Sequence, residues 1–140
     1  MEPWIIYALI SMVFAGLTAV IAKLGLSGIS SELGLAVRTC FVFVFVVAFA
    51  AFAVPVGQLS ALTRTNFFWL GLSGAATAIS WVFYYKAIKD GEVSTVAIID
   101  KGSVVVAVVL AALFLKEQIT ARTLAGAALM IAGLFVIARK

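Results

Sequence analysis

The sequence of 140 residues contains no histidine, one cysteine, two prolines and only six acidic residues. Without histidine, the commonest proton shuttle and metal ligand is missing. A lone thiol, Cys40, supports neither an internal disulfide nor a metal cluster. No cofactor and no metal are therefore expected. Charge is scarce as well: 11% of residues are charged, whereas an ordinary soluble domain carries about 25%. The net charge of +4 is spread among short loops and forms no basic patch, so nucleic acid is not an expected partner.

What the sequence has instead is apolar length. Hydrophobic residues make up 65% of the chain, against roughly 45–50% in soluble domains, and a soluble fold of this size cannot hide that much apolar surface. They fall into five blocks, approximately Pro3 to Ala22, Leu33 to Val54, Phe67 to Ile88, Ser94 to Leu115 and Ala121 to Ala138. Each is close to the ~20 residues that a helix rising ~1.5 Å per residue needs to cross a bilayer core. A spanning barrel would need alternating segments of about ten residues, and no such alternation exists. The fold class is an all-α membrane protein, a bundle of five transmembrane helices. The first block starts with Glu2 instead of a basic region, and "AKLGLSG" offers no A-x-A cleavage site, so it reads as a retained helix and not a secretory signal.

The connections are short and rich in helix breakers: "LGLSGISSE", "PVGQLSALTRTN", "KDGEV" and "KEQIT". Pro55 ends the second helix, and Thr120 is placed to cap the fifth. With no internal repeat and no low-complexity linker, residues 1–140 read as a single domain. Five crossings put the termini on opposite sides of the membrane. Arg64, Lys116 and Arg122 lie on the N-terminal side. Lys23, Lys86, Lys89, Arg139 and Lys140 lie on the other, joined by Arg38 and Lys101 when residues inside helices are included. The positive-inside rule then favours a cytoplasmic C-terminus.

Three helices bring polar groups to one depth. Asp100 lies about six residues, or roughly 9 Å, inside the fourth helix, with Lys101 one residue deeper. Arg38 enters from the same side, some 7–8 Å into the second helix. The third helix leaves on this side carrying Trp81, Tyr84, Tyr85 and Lys86. An ionisable residue inside a span costs on the order of 2.5–3.5 kcal/mol, so three at a matching depth call for a shared reason. One reason is structural, with Arg38 and Lys101 snorkelling and Asp100 paired to one of them. The other is a water-accessible pocket, with Arg38 and Lys101 offered to an anion and Asp100 to a cation or proton.

Adjacent helical residues diverge by about 100°, so Asp100 and Lys101 do not share one direction, although both can border a cavity. Trp81 continues a stripe through Ala78 and Gly74, a face suited to a substrate wall or to a close helix contact. Tyr84 and Tyr85 fit an interfacial aromatic belt first and a pocket second. Arg38, Trp81, Tyr85, Asp100 and Lys101 are the candidate substrate-binding residues. Gly71 with Ala75, Gly74 with Ala78, and Ala107 with Ala111 have the small-xxx-small spacing that permits close helix packing. Phe41, Phe45, Phe49 and Phe52 suit a face toward lipid or a neighbouring helix, and Glu117 a solvated loop.

The run "LSGAATAISWVFYYKAIKDGEVSTVAIIDKGSVVVAVVLAALFLKEQIT" followed by "LAGAALMIAGLFVIA" resembles the EamA domain of the drug/metabolite transporter superfamily. The matching features are the aromatic end of the third helix running into "AIKDG", the fourth ending in "LFLKEQIT", and "GAALMIAG" in the fifth. "AVRT" at 36–39 and "IDK" at 99–101 look like the short, single-domain variety of the family. The resemblance implies a transporter of small metabolites such as amino acids or organic anions, often an exporter, in the inner membrane among lipid. Most members join two five-helix halves of inverted topology around a central cavity, so a single half implies a homodimer or pairing with another five-helix half. Many members carry a proline in the fourth helix near 103–106; this chain has none. The competing readings are a non-transporting membrane subunit or assembly partner, and a lipid flippase. An enzyme fits least, since no paired carboxylate and no nucleophile beside a base is present.

Overall fold

In a computed structural model, which describes residues 2–138, the five apolar blocks are helices, and no strand occurs among the described residues. Helix α1 is Pro3–Gly25, α2 is Ser31–Ala53 and α3 is Arg64–Asp90. The fourth block divides into α4, Val93–Asp100, and α5, Ser103–Leu110, followed by a π-helical turn Ala111–Leu115. Helix α6 is Ala121–Ala138. Pro3–Gly25, Ser31–Ala53, Arg64–Asp90 and Val93–Leu115 are each long and apolar enough to cross a membrane. At 18 residues, α6 extends about 27 Å, near the lower limit for a crossing. Arg139 and Lys140, which enter the charge asymmetry, lie outside the described residues.

The starts of α2, α3 and α6 are set by small hydroxyl residues. Ser30 accepts the Leu33 N–H at 3.2 Å, Thr63 accepts that of Asn66 at 3.2 Å, and Thr120 accepts that of Thr123 at 3.2 Å. Each satisfies one of the donors that a helix N-terminus leaves open. Pro55 follows the end of α2 as expected and opens a short 3-10 helix, Val56–Ala61, in a connection that reads as irregular in sequence.

The fourth block is where the fold departs from expectation. With no proline present, a continuous helix is the simple reading, yet the ladder tightens at Lys101 and Gly102. Their dihedrals, φ −65°, ψ −15° and φ −57°, ψ −23°, are those of a 3-10 turn. Gly102, Val104 and Val105 donate to carbonyls three residues back, at 2.9, 3.1 and 3.0 Å. Gly102 has weak helix propensity and packs closely: a Cβ built there meets the Ile99 carbonyl oxygen and Leu134 Cδ1, each at 3.0 Å. At the far end Lys116 takes the left-handed conformation, φ 56°, and closes the π turn onto the Ala111 carbonyl.

The described chain divides into two compact units, one formed by residues up to Ala19 with those from Gly91 onward, the other by Val20–Asp90. In the first, α6 packs on α4 and α5. In the second, α2 packs along α3. The most deeply buried side chains, Leu26, Tyr85 and Ile88, belong to the second unit and cluster at the C-terminal ends of α1 and α3. Most other large apolar residues are exposed, including Phe41, Phe45, Phe49 and Phe52, as suits helices whose outer faces meet lipid and gain nothing by leaving it.

The core of the second unit is held by an exchange of lysines. Lys23, near the end of α1, donates to the Ile88 and Lys89 carbonyls at 2.5 and 2.9 Å. Lys89, at the end of α3, donates to the Leu26 carbonyl at 2.8 Å. Each helix places a cation on the other's C-terminus, where carbonyls lack intrahelical partners and the dipole is negative. Gly28, at φ 74°, turns the chain from α1 into α2, a conformation that glycine adopts without steric cost. Leu26 then lies directly on Gly34 of α2, in the space that a Cβ would occupy. Gly34→Val is expected to overpack this contact and cost about 1–3 kcal/mol, visible as a lower melting temperature in detergent.

Candidate functional site

Arg38, Trp81 and Tyr85 meet where α2 packs along α3. Arg38 lies seven residues after the first residue of α2, about 10 Å along the helix. Its guanidinium carbon sits 4.4 Å from the centroid of the Trp81 ring and 5.8 Å from that of Tyr85. Trp81 and Tyr85 are four apart on α3 and so present adjacent faces to the cation. Tyr85 is only 3% exposed. The expectation that it joins an interfacial belt first is therefore corrected: a belt residue stands exposed, whereas Tyr85 is buried with Arg38 beside its ring. The ring of Tyr84 stands edge-on to that of Tyr85, 6.5 Å away.

Among the described residues no hydrogen-bond acceptor meets the buried Nη1 of Arg38. The aromatic faces neutralise part of the cost of the charge but accept an N–H only weakly. Nearer the start of α2, Glu32 is engaged by Lys86 at 3.6 Å and by the Ser31 hydroxyl at 3.0 Å.

Beside this stack runs a groove of about 530 Å³, lined by Leu35, Thr39, Leu70, Ser73, Gly74, Thr77, Ala78, Trp81 and Val82. The stripe Gly74–Ala78–Trp81 admits either a wall or a close helix contact on sequence grounds. A Cβ built on Gly74, which lines the groove, meets nothing within 4 Å, so this part of α3 leaves open space there. Two hydroxyls of the lining bond back to their own helices: Thr39 donates to the Leu35 carbonyl at 2.8 Å and Thr77 to that of Ser73 at 2.9 Å.

Asp100 and Lys101 lie in the other unit, at the tightened turn between α4 and α5. They are expected to diverge, yet Lys101 Nζ lies 3.7 Å from Asp100 Oδ2. The lysine stem is long enough to bring its charge back to the preceding carboxylate. Both remain partly exposed, with 52% and 39% of the side chains accessible. In the same unit Ala107 and Ala111 line a second cavity of about 310 Å³ that also borders Glu117, Gln118 and Thr123. Cys40 is a free thiol.

The sequence matches the model of the EamA-like transporter family over residues 2–139. The chain belongs to the EamA-like transporter family. A relative from a Sinorhizobium species, named an uncharacterized transporter in the cobO 3′ region, is 34% identical over 137 residues, spanning 98% of this chain and 97% of its own length. No solved structure matches the chain at a significant level. EamA-like membership makes it a multi-pass integral membrane transporter and not an enzyme. Membership implies a small-molecule substrate and a membrane environment, and the apolar helices agree with the latter.

Proposed function

We propose that this EamA-like transporter exports a small metabolite such as an amino acid or an organic anion across the inner membrane, with Arg38, Trp81, Tyr85, Asp100 and Lys101 as its substrate-binding residues. The observation that carries the reading is Arg38, held at 4.4 Å from the Trp81 centroid with no acceptor for its buried Nη1 among the described residues. In a span, such a donor is retained at a cost unless something binds it. Trp81 and Tyr85 supply an aromatic wall. Asp100 and Lys101, paired at 3.7 Å and partly exposed, offer a carboxylate that can accept a proton or a cationic group when Lys101 moves off.

In this proposal the chain acts as one EamA-like domain, as a homodimer or paired with another five-helix half. Its C-terminus is cytoplasmic, which the basic residues Lys23, Lys86 and Lys89 support. Access alternates by rocking of helices. The test is substrate flux by the reconstituted full chain in proteoliposomes. Asp100→Asn is expected to reduce flux about tenfold or more, equivalent to ~1.4 kcal/mol, with the yield of folded protein unchanged. Loss of folded protein with unchanged activity per folded molecule makes the charge structural. Absence of flux together with stoichiometric co-purification of a second membrane protein identifies a non-transporting subunit.

A further inference from the structure

Arg38 and the α2–α3 groove together restrict what this site accepts. Resting on the transport reading above, we infer that the groove binds an organic monoanion with an apolar, flat body, its anionic group on Arg38 and its body along Gly74, Ala78 and Trp81, and that it disfavours zwitterions and cations.

Three independent observations converge on that class. First, the guanidinium lies over the Trp81 ring, 4.4 Å from the centroid, and Trp81 also lines the groove. A guanidinium that lies face-on to a ring keeps its edge N–H groups for hydrogen bonding, the fork that matches a carboxylate or a phosphate oxygen pair. Nη1, one of those edge nitrogens, is buried and meets no acceptor among the described residues.

Second, among the described residues the groove's lining holds no charged side chain: its polar members are Thr39, Ser73 and Thr77, and the one cation beside it, Arg38, adjoins it through Trp81 without lining it. Thr39 and Thr77 already donate to carbonyls of their own helices. The acidic residue of α2, Glu32, is engaged by Lys86 and Ser31. A substrate ammonium therefore finds no counter-charge in this groove, and burying it there costs desolvation without return.

Third, the groove is apolar and of the size of a small-molecule pocket, about 530 Å³, within the ~300–1,000 Å³ usual for ligand sites. Its floor at Gly74 is open, since a built Cβ meets nothing within 4 Å. A flat ring or short chain fits against Trp81 there.

The test uses the full chain in nanodiscs of zwitterionic lipid, with Trp4→Phe and Trp69→Phe so that Trp81 is the remaining tryptophan of the three. Its fluorescence is titrated with 3-phenylpropionate, L-phenylalanine and 2-phenylethylammonium, which share a body and differ in charge. The anion is expected to bind at least about tenfold more tightly than the other two, the discrimination that one charged partner confers. Gly74→Leu, which fills the groove from an open position, and Arg38→Gln are each expected to weaken the anion about tenfold or more. Equal or tighter binding of the zwitterion or the cation overturns the inference, as does a Gly74→Leu variant with unchanged affinity. Displacement of the probe by phosphatidylglycerol added to the nanodisc assigns the groove to lipid and overturns it as well. Flux of another metabolite that Asp100→Asn abolishes, alongside failure of the charge selectivity, leaves the transport reading standing and removes only this substrate class.

Discussion

Replacing Arg38 by alanine is expected to remove most substrate flux while leaving the protein as stable as before, or more so. The two halves of that expectation have different physical origins. Removing a charge from a span returns on the order of 2.5–3.5 kcal/mol of insertion cost, while the lost stack on Trp81 forfeits about 2 kcal/mol when desolvated. The balance is near zero or slightly favourable, so Arg38 does not hold the fold together. Truncating one partner of a desolvated charge contact with substrate, by contrast, costs about 2–5 kcal/mol, or on the order of 30-fold or more in binding. Flux in proteoliposomes and thermal unfolding of the same preparation separate the two. Arg38→Lys is expected to fall between wild type and alanine, since it keeps the charge but loses the planar fork and the stack. A variant that melts much earlier while transporting normally per folded molecule would make Arg38 a structural residue.

The largest stability effect is expected from the lysine exchange. Lys23→Met with Lys89→Met keeps much of each apolar stem and removes three charge-assisted hydrogen bonds to the Ile88, Lys89 and Leu26 carbonyls. Such bonds contribute about 1.5–3 kcal/mol each, and partial exposure lowers the sum, so a loss of roughly 3–4 kcal/mol is expected for the double variant. Ile88 and Leu26 are 0% and 1% exposed, which keeps water from replacing the lost donors. The check is thermal unfolding in detergent of the double variant, with Lys→Arg at both sites as a rescue that restores the donors. A double variant melting within a degree of wild type would mean that these carbonyls are satisfied otherwise.

Most of the helical architecture was legible in the sequence because a bilayer imposes a coarse rule. Every backbone group in the apolar core must be paired within its own segment, so apolar blocks of about 20 residues have one solution. Thr120 as a cap and Pro55 as a stop followed from equally local chemistry, and both stand. Family membership was legible for a similar reason, since the order of short pieces from the third helix onward is carried by the chain itself.

The sequence alone therefore determined the helices, their approximate ends and the small set of charges that sit inside them. It did not determine what those charges and small residues face, because that depends on which helices pack and how closely. Only the tertiary structure decided that Tyr85 is covered with Arg38 above its ring, and that Gly74 opens a groove where a helix contact was equally compatible with the spacing. It alone decided that Lys23 and Lys89, which read as ordinary loop cations, close each other's helices. The tightened turn at Lys101 and Gly102 has the same origin: with no proline to mark it, it is seen only where Leu134 of α6 packs against Gly102.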